Sequence, residues 1–526
     1  MNLFAEVSGL KINVEKTEVM WIGKKISKIS KKKKLPQTKA AINLLGVIIA
    51  EDEDKTLELN LEPKLRELSA TFHLWNQRDL TIQGRILLAK SIGFSKFNYI
   101  SSIITISQPF MKRIESCLYK FIWKGNDKVK RKTLIQDYKK GGLKMLDMET
   151  AGRKQCVKWM QRFIKPNIMS PWKTVLKEYV KPYGNLNLIL FSDFDEKEIS
   201  VYLPKFYQNV LHQWKIYYTS NSNYAQQFLW YNKEIKIRGK CVYEKEMHDC
   251  GINLISDLYN NTGETVPFNT WVEKGLNQKY FFNWRALISC TWSKREQTNR
   301  AVQDPTIIIK NGKEIKITEV DQRHIYEFFL KLKTEKNQVI ENHKKEHNLS
   351  DEDIEYMFIL PRKCTIDNRL REIQYKIFFK YLPTNKKLFQ YNLIDSNSCD
   401  LCHSSPESIK HLLWECNYSK TIWFQFCDWW NNIFESHIQL NEKTILFGTK
   451  LENRDNESIL LFNHLLLLMK KYIFTHKTNQ LLLQNVLKIF FEVMKIEKEI
   501  AKKNDQTEKF LKKWEKCNID LINRFT

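Results

Sequence analysis

Apolar positions along the chain recur mainly at spacings of three and four, a period that predicts helices over most of its length. The beginning reads differently. Val14 to Gly23 has the pattern of a short apolar strand and Leu44 to Ala50 that of a second, with a lysine-rich loop between them. Glu51-Asp52-Glu53-Asp54 reads as an acidic turn. From Pro63 the helical period takes over: Leu65, Leu68, Phe72 and Trp75 share a face, and a second helix is expected from about Thr81 to Gly93. Met111, Ile114, Leu118, Phe121 and Ile122 form a third stripe, opposite Lys112, Arg113 and Lys120. Gly141-Gly142 reads as a turn, and Arg153 to Lys165 as an amphipathic helix built around Trp159. Residues 166–340 are aromatic and mixed, and their period fixes no topology. The polar stretch from Lys333 to His347 reads as a linker or solvated helix, and Ser350 with Asp351 and Asp353 as a helix N-cap. A helix over 368–382 and the stripe Trp423, Phe426, Cys427, Trp430, Ile433 and Phe434 follow. Two or three helices close the chain. The fold class expected is mainly α with a small β remnant (α+β).

Composition narrows the possibilities. At about 150 residues per domain, 526 residues suggest three or four units. A hydrophobic content of 43% excludes a wholly disordered chain. With 16 Gly and 12 Pro there is little material for glycine-rich nucleotide cradles, and neither G-x-x-x-x-G-K-[ST], G-x-G-x-x-G nor G-x-S-x-G occurs. The most apolar run, Ile459 to Met469, holds Asn463 and His464 and is too short to span a bilayer, so no membrane is expected as a partner. The first residues carry neither a charged nor an apolar leader segment. The eleven cysteines are therefore expected as thiols or metal ligands, in a reducing cytoplasm or nucleus rather than outside the cell.

The charge is concentrated. Residues 1–165 hold 33 Lys and Arg against 16 Asp and Glu, a net of +17 out of +25 for the whole chain. Such a field attracts phosphate backbones through counterion release. The candidate contacts are Lys31, Lys32, Lys33 and Lys34 in the lysine loop, then Arg78, Arg85, Lys112, Arg113, Arg153, Lys154, Lys158 and Arg162 on the helices. The lysine run alone reads equally well as a mobile surface loop or a nuclear-localisation signal.

Cys399-x2-Cys402-x8-His411-x4-Cys416 is the strongest chemical signal. Two thiolates two residues apart form a knuckle, and a His and a Cys returning shortly afterwards close a tetrahedron around one structural Zn²⁺. A closed set of four ligands leaves no position for catalysis. Buried free cysteines beside a satisfied histidine are the alternative. His343-x-x-Glu346-His347 has the order of an inverted zincin motif but lies in a polar stretch, and is read as solvated linker. Cys241, His248 and Cys250 are read as chance neighbours, and Asp193 and Asp195 as a solvated turn.

Several motifs in order carry a family resemblance. Ser8-Gly9-Leu10-Lys11-Ile12-Asn13, followed by Lys16-Thr17-Glu18, resembles the palm segment after the catalytic aspartates in LINE-type (non-LTR) retrotransposon reverse transcriptases. Leu44-Leu45-Gly46-Val47 resembles the primer-grip hairpin that follows, and Trp75-x-x-Arg78-x-Leu80-Thr81-x-x-Gly84-Arg85 the start of the thumb. Phe121-Ile122-Trp123, Gly141-Gly142-Leu143 and Trp159 continue the pattern. The Cys399 cluster, with His411-Leu412-Leu413-Trp414-Glu415-Cys416 and Trp423, resembles the zinc-binding segment near the C-terminus of these polyproteins.

The resemblance implies a palm and primer-grip remnant over 1–55 and a thumb-like helical domain over 56–165. A helical connecting region over 166–365, with a linker near 333–350, would follow, then a zinc-binding segment over 366–440 and C-terminal helices over 441–526. It also implies two Mg²⁺ held by carboxylates of a Phe/Tyr-Ala-Asp-Asp turn, but the sequence contains no Asp-Asp pair. Mg²⁺ is expected only where the missing part of the palm is present. No catalytic residue is assigned, Lys16 being at most a palm lysine remnant. The expected function is that of a truncated reverse-transcriptase fragment binding RNA or an RNA/DNA hybrid, such as its own element's transcript, without making DNA by itself. Two alternatives stand: the C-terminal half of an intact RNA-directed DNA polymerase whose upstream exon is missing, and a helical interaction module that docks a partner on Trp423, Phe426 and Trp430.

Overall fold

The structure is a computed structural model, which describes the chain apart from residues 1–5, 8, 10–12, 14–15, 21–38, 166–169, 185, 195–202, 223–226, 261, 295–303, 311, 451–455 and 526. The chain is mainly helical, with three two-stranded antiparallel hairpins among the described residues. Residues 1–65, 96–113 and 147–333 form one compact unit, and 66–95, 114–146 and 334–526 a second. This is not a linear succession of segments: residues 56–165 contribute to both units, and the division late in the chain falls between Lys333 and Thr334.

In the first unit, the apolar run at residues 44–50 is not one strand but a hairpin, as the primer-grip resemblance implies. Ala41–Leu44 pairs with Val47–Ala50. Leu45 and Gly46 both have positive φ (50° and 80°), the condition for a two-residue turn that matches strand twist, and the Gly46 N–H donates to Asn43 Oδ1. Of the strand expected over Val14 to Gly23, residues 16–20 are described, and they form no strand beyond an isolated bridge at Val19; the rest lies outside the described residues. The acidic turn is a helix start: Asp52 Oδ2 accepts from Lys55 N at 3.0 Å, and the helix Glu53–Asn76 begins there with Pro63 inside it. Carboxylates in a first turn meet the positive end of the helix dipole, which is why the helix begins ten residues before Pro63.

The core of this unit joins the helices Met148–Ile164, Lys205–Asn221 and Gln322–Lys333 through Val157, Met160, Trp214, Tyr217 and Phe329. Two short hairpins, Lys236–Ile237 with Lys240–Cys241 and Ile307–Lys310 with Lys313–Lys316, interrupt the helices where periodicity is silent. Lys333 closes the helix Gln322–Lys333 onto Asp147 (2.8 Å) and Glu149 (2.9 Å), at the N-terminus of Met148–Ile164. Lys333 is thus a structural cation rather than the start of a linker.

The second unit has an aromatic core. Phe72 stacks on Phe121 at 4.0 Å, and Trp430 on Phe434 at 3.8 Å. The helix Asn456–Thr475 is longer than its apolar run suggests, and residues 457–475 are long and apolar enough to cross a membrane. It is mostly buried within the protein, and its polar groups have partners there: Asn463 Nδ2 donates to Thr449 O, and Lys470 Nζ to Gln374 Oε1. The last two helices, Leu483–Lys503 and Thr507–Phe525, pack as a hairpin.

Gly141-Gly142 is a turn of a demanding kind. Gly141 (φ 76°) ends the short 3-10 helix Tyr138–Lys140, and a Cβ on Gly142 would lie 2.0 Å from the Gln136 carbonyl oxygen. No rotamer relieves a backbone clash, so Gly142→Ala is expected to cost about 3 kcal/mol, read as a lower urea midpoint. An unchanged midpoint would contradict this close approach.

Candidate metal centre

Cys399 and Cys402 lie on a tight reversal. Ser398 and Pro406 pair as an antiparallel bridge, and Cys399 N donates to Ser405 O at 2.8 Å. Between them His403 takes a left-handed conformation (φ 52°) and its N–H returns to Cys399 O at 2.9 Å. The other two ligands come from a π-helical turn, His411–Glu415. Its wide ring is closed by Cys416 N donating to His411 O at 2.8 Å, which brings residues five apart to the same side. Cys416 then begins the helix Asn417–Phe434. Ser419 Oγ donates to Leu412 O and Trp423 Nε1 to Leu413 O, each within 2.7 Å, so the carbonyls of the turn are satisfied by side chains of the following helix.

The result is a cluster in which the sulfurs of Cys399, Cys402 and Cys416 and a ring nitrogen of His411 all lie within 4.8 Å of one another. Cys399, Cys416 and His411 are buried, and Cys402 is partly exposed. Cys402 Sγ is 3.3 Å from His411 Nε2. The thiols share protons unevenly: the bond between Cys399 and Cys416 raises the Cys399 thiol and holds Cys416 down, at about 7. Burial works against the charged form of His411, but its contacts with Cys402 and Cys399 hold it above the ordinary imidazole range. Three soft thiolates and one imidazole, converged and shielded, fit one structural zinc, with these four residues as its ligands.

A buried ion pair fixes the knuckle. Glu407 is 0% exposed. Its Oε1 accepts from Asn385 N (2.9 Å) and Lys477 Nζ (2.6 Å), and its Oε2 from Asp400 N (3.3 Å). Lys477 also reaches Asp400 at 3.0 Å. One carboxylate therefore ties the Cys399 loop to the helix Asn385–Gln390 and to a lysine 70 residues downstream.

Other expected sites fare differently. His343, Glu346 and His347 are not solvated linker: they lie on the helix Gln338–His347, and their ligand atoms also fall within 4.8 Å of one another. His343 is 3% exposed, against Phe378 and Phe447. An apolar partner from distant sequence replaces the apolar face that the helix itself lacks. Burial lowers the His343 imidazole below its ordinary value. Asp193 is no solvated turn but buried, paired with Lys233 at 2.8 Å and Lys215 at 3.5 Å; Asp195 lies outside the described residues. Cys241, His248 and Cys250 form no ligand cluster.

Of the basic candidates, Lys31, Lys32, Lys33 and Lys34 lie outside the described residues. Arg85 is 6% exposed and its guanidinium donates to Leu80 O and Phe121 O, a structural use. Arg113 pairs with Glu62 and Arg153 with Glu149. Arg78 is exposed beside Trp75, and Lys112 is exposed. Lys154, Lys158 and Arg162, four residues apart, share one face of the helix Met148–Ile164; Lys158 and Arg162 are exposed and Lys154 half-buried. Burial first, and Lys158 second, lower the Lys154 ammonium. Lys16 is exposed. Trp423, Phe426 and Trp430, which a docking module would present to a partner, are all buried in the second unit's own core.

Residues 341–423 match the protein family described as zinc-binding in reverse transcriptase. The match contains all four clustered ligands and supports a reverse-transcriptase-related protein. A search of curated proteins finds no match to the chain.

Proposed function

We propose that this reverse-transcriptase-related chain belongs to the LINE-type (non-LTR) branch and holds RNA or an RNA/DNA hybrid by its phosphate backbone, while the zinc segment stiffens a helical junction. The ordered palm, primer-grip and thumb motifs support the branch.

The observation that carries the binding is the stripe Lys154, Lys158 and Arg162. It sets three cations along one helix face at intervals of about 6 Å. The sequence holds no acidic residue between Glu149 and Glu178. Like charges at i,i+4 destabilise an isolated helix by a few tenths of a kcal/mol per pair, a repulsion that phosphates would relieve. Contacts of this type position a strand without reading its sequence.

Binding to a hairpin RNA is therefore expected to weaken steeply between about 50 and 200 mM salt. The triple variant Lys154→Gln/Lys158→Gln/Arg162→Gln should flatten the log–log salt slope by about 2–3 and weaken all RNA sequences alike. Equal affinity of the triple variant and the parent, or salt-independent binding, would overturn the reading.

A further inference from the structure

We infer that His343, Glu346 and His347 form a second metal site, open where the cysteine site is closed, that takes a Zn²⁺-type cation in the second unit. The argument starts from one hydrogen bond. His343 Nε2 lies 2.8 Å from the Phe378 carbonyl oxygen. A carbonyl can only accept, so Nε2 carries the proton and Nδ1 is left with a bare lone pair. Nδ1 is buried and has no hydrogen-bond partner. It faces Glu346 Oε2 at 3.8 Å, one acceptor opposite another. His347 Nε2 lies 4.0 Å from the same oxygen. Three potential ligand atoms thus converge, and the buried lone pair of His343 Nδ1 is the one left without a partner, an arrangement that costs free energy unless a cation sits at the centre.

Local structure holds the donors in place. Spacing of three and four puts the side chains on one helix face. Phe447 lies edge-on to both imidazoles, 5.1 Å from each ring centroid. The bond from His343 Nε2 to a backbone carbonyl is the outer contact that orients metal-ligating histidines and fixes their tautomer. Two imidazoles and a carboxylate favour zinc and its borderline neighbours over Mg²⁺ or Ca²⁺.

The site opens on a cleft of about 290 Å³ with Lys380, Lys386, Lys387 and Lys410 in its wall. Three protein ligands leave a coordination position, and these lysines favour an anionic oxygen in it. Lys380 Nζ now rests on Glu346, 3.1 and 3.3 Å from its two oxygens. It is the competitor that an incoming cation displaces.

The test is a Co²⁺ titration of the full chain whose cysteine site is already filled with zinc. The expected result is one further equivalent, with visible d–d bands and without the near-ultraviolet sulfur-to-cobalt absorption of a thiolate site. Glu346→Gln and His347→Ala, both away from the deepest packing, should each weaken uptake more than about tenfold. Lys380→Met should tighten it, an effect that lost packing does not produce. His343→Ala should abolish uptake, but its burial makes it the less decisive variant. No second equivalent at millimolar Co²⁺, or uptake unchanged in both Glu346→Gln and His347→Ala, would overturn the proposal.

Discussion

Cys399→Ser/Cys402→Ser is expected to lose the zinc of the cysteine site and to unfold the segment from Asn397 to Cys416 with it. Apart from the metal, this segment is held by short reversals, by Glu407, and by single bonds from Lys386 N to Glu407 O, Ser419 Oγ to Leu412 O and Trp423 Nε1 to Leu413 O. Structural zinc in finger peptides binds with roughly 10–16 kcal/mol, comparable to the whole stability of an ordinary domain. The damage should spread, because the π-helical turn leads directly into Asn417–Phe434, whose Trp423, Phe426 and Trp430 are core residues. Metal analysis of the purified protein and limited proteolysis read the two halves of the prediction. The parent should keep one tightly held zinc through dialysis against a mild chelator, and the double variant should keep none there and be cut within residues 397–416. His411→Cys should preserve the metal, since four thiolates also close a tetrahedron, whereas His411→Ala should not. A zinc-free double variant that resists protease like the parent would show that packing alone maintains the segment.

The second large effect is expected at Glu407. Truncating one member of a buried ion pair typically costs about 3–5 kcal/mol, because the remaining charge and donors stay buried. Glu407→Ala strands Asn385 N and Asp400 N and takes one carboxylate from Lys477, which keeps Asp400 at 3.0 Å. A loss in that range should appear in urea unfolding of the zinc-loaded protein. Lys477→Met made together with Glu407→Gln should recover part of it, the signature of a coupled pair. A loss below about 1 kcal/mol for Glu407→Ala would mean that the zinc alone anchors the knuckle.

These two sites mark what the sequence makes legible. The four zinc ligands fall within eighteen residues, and their types and spacing state the chemistry before any fold is known. Glu407 lies among them but finds Asn385 and Lys477, 22 and 70 residues away, and no local pattern announces such partners. His343 fails for a related reason. Its helix is polar on its own account, and the apolar wall comes from Phe378 and Phe447. Long helices with a regular stripe, such as Gln108–Trp123 and Asn417–Phe434, are read correctly because one face meets one core. The same rule misplaces Arg85: its position fits a basic outer face, yet its guanidinium turns inward to two carbonyls. By period alone Leu44 to Ala50 reads as a single strand, because Leu45, which takes a positive φ in the turn, is an apolar residue like its neighbours.

The interleaved make-up of the second unit also has a consequence for synthesis. Its first parts, residues 66–95 and 114–146, leave the ribosome long before Thr334, with residues 147–333 in between. At about 5–20 residues per second the wait is roughly 10–40 s, during which Trp123 lacks Tyr381 and the turn at Gly141 lacks Phe358 and Tyr375. Nascent chains of this protein should therefore depend on chaperones over that interval, and ribosomes stalled between codons 150 and 330 should carry chains that bind such factors most strongly.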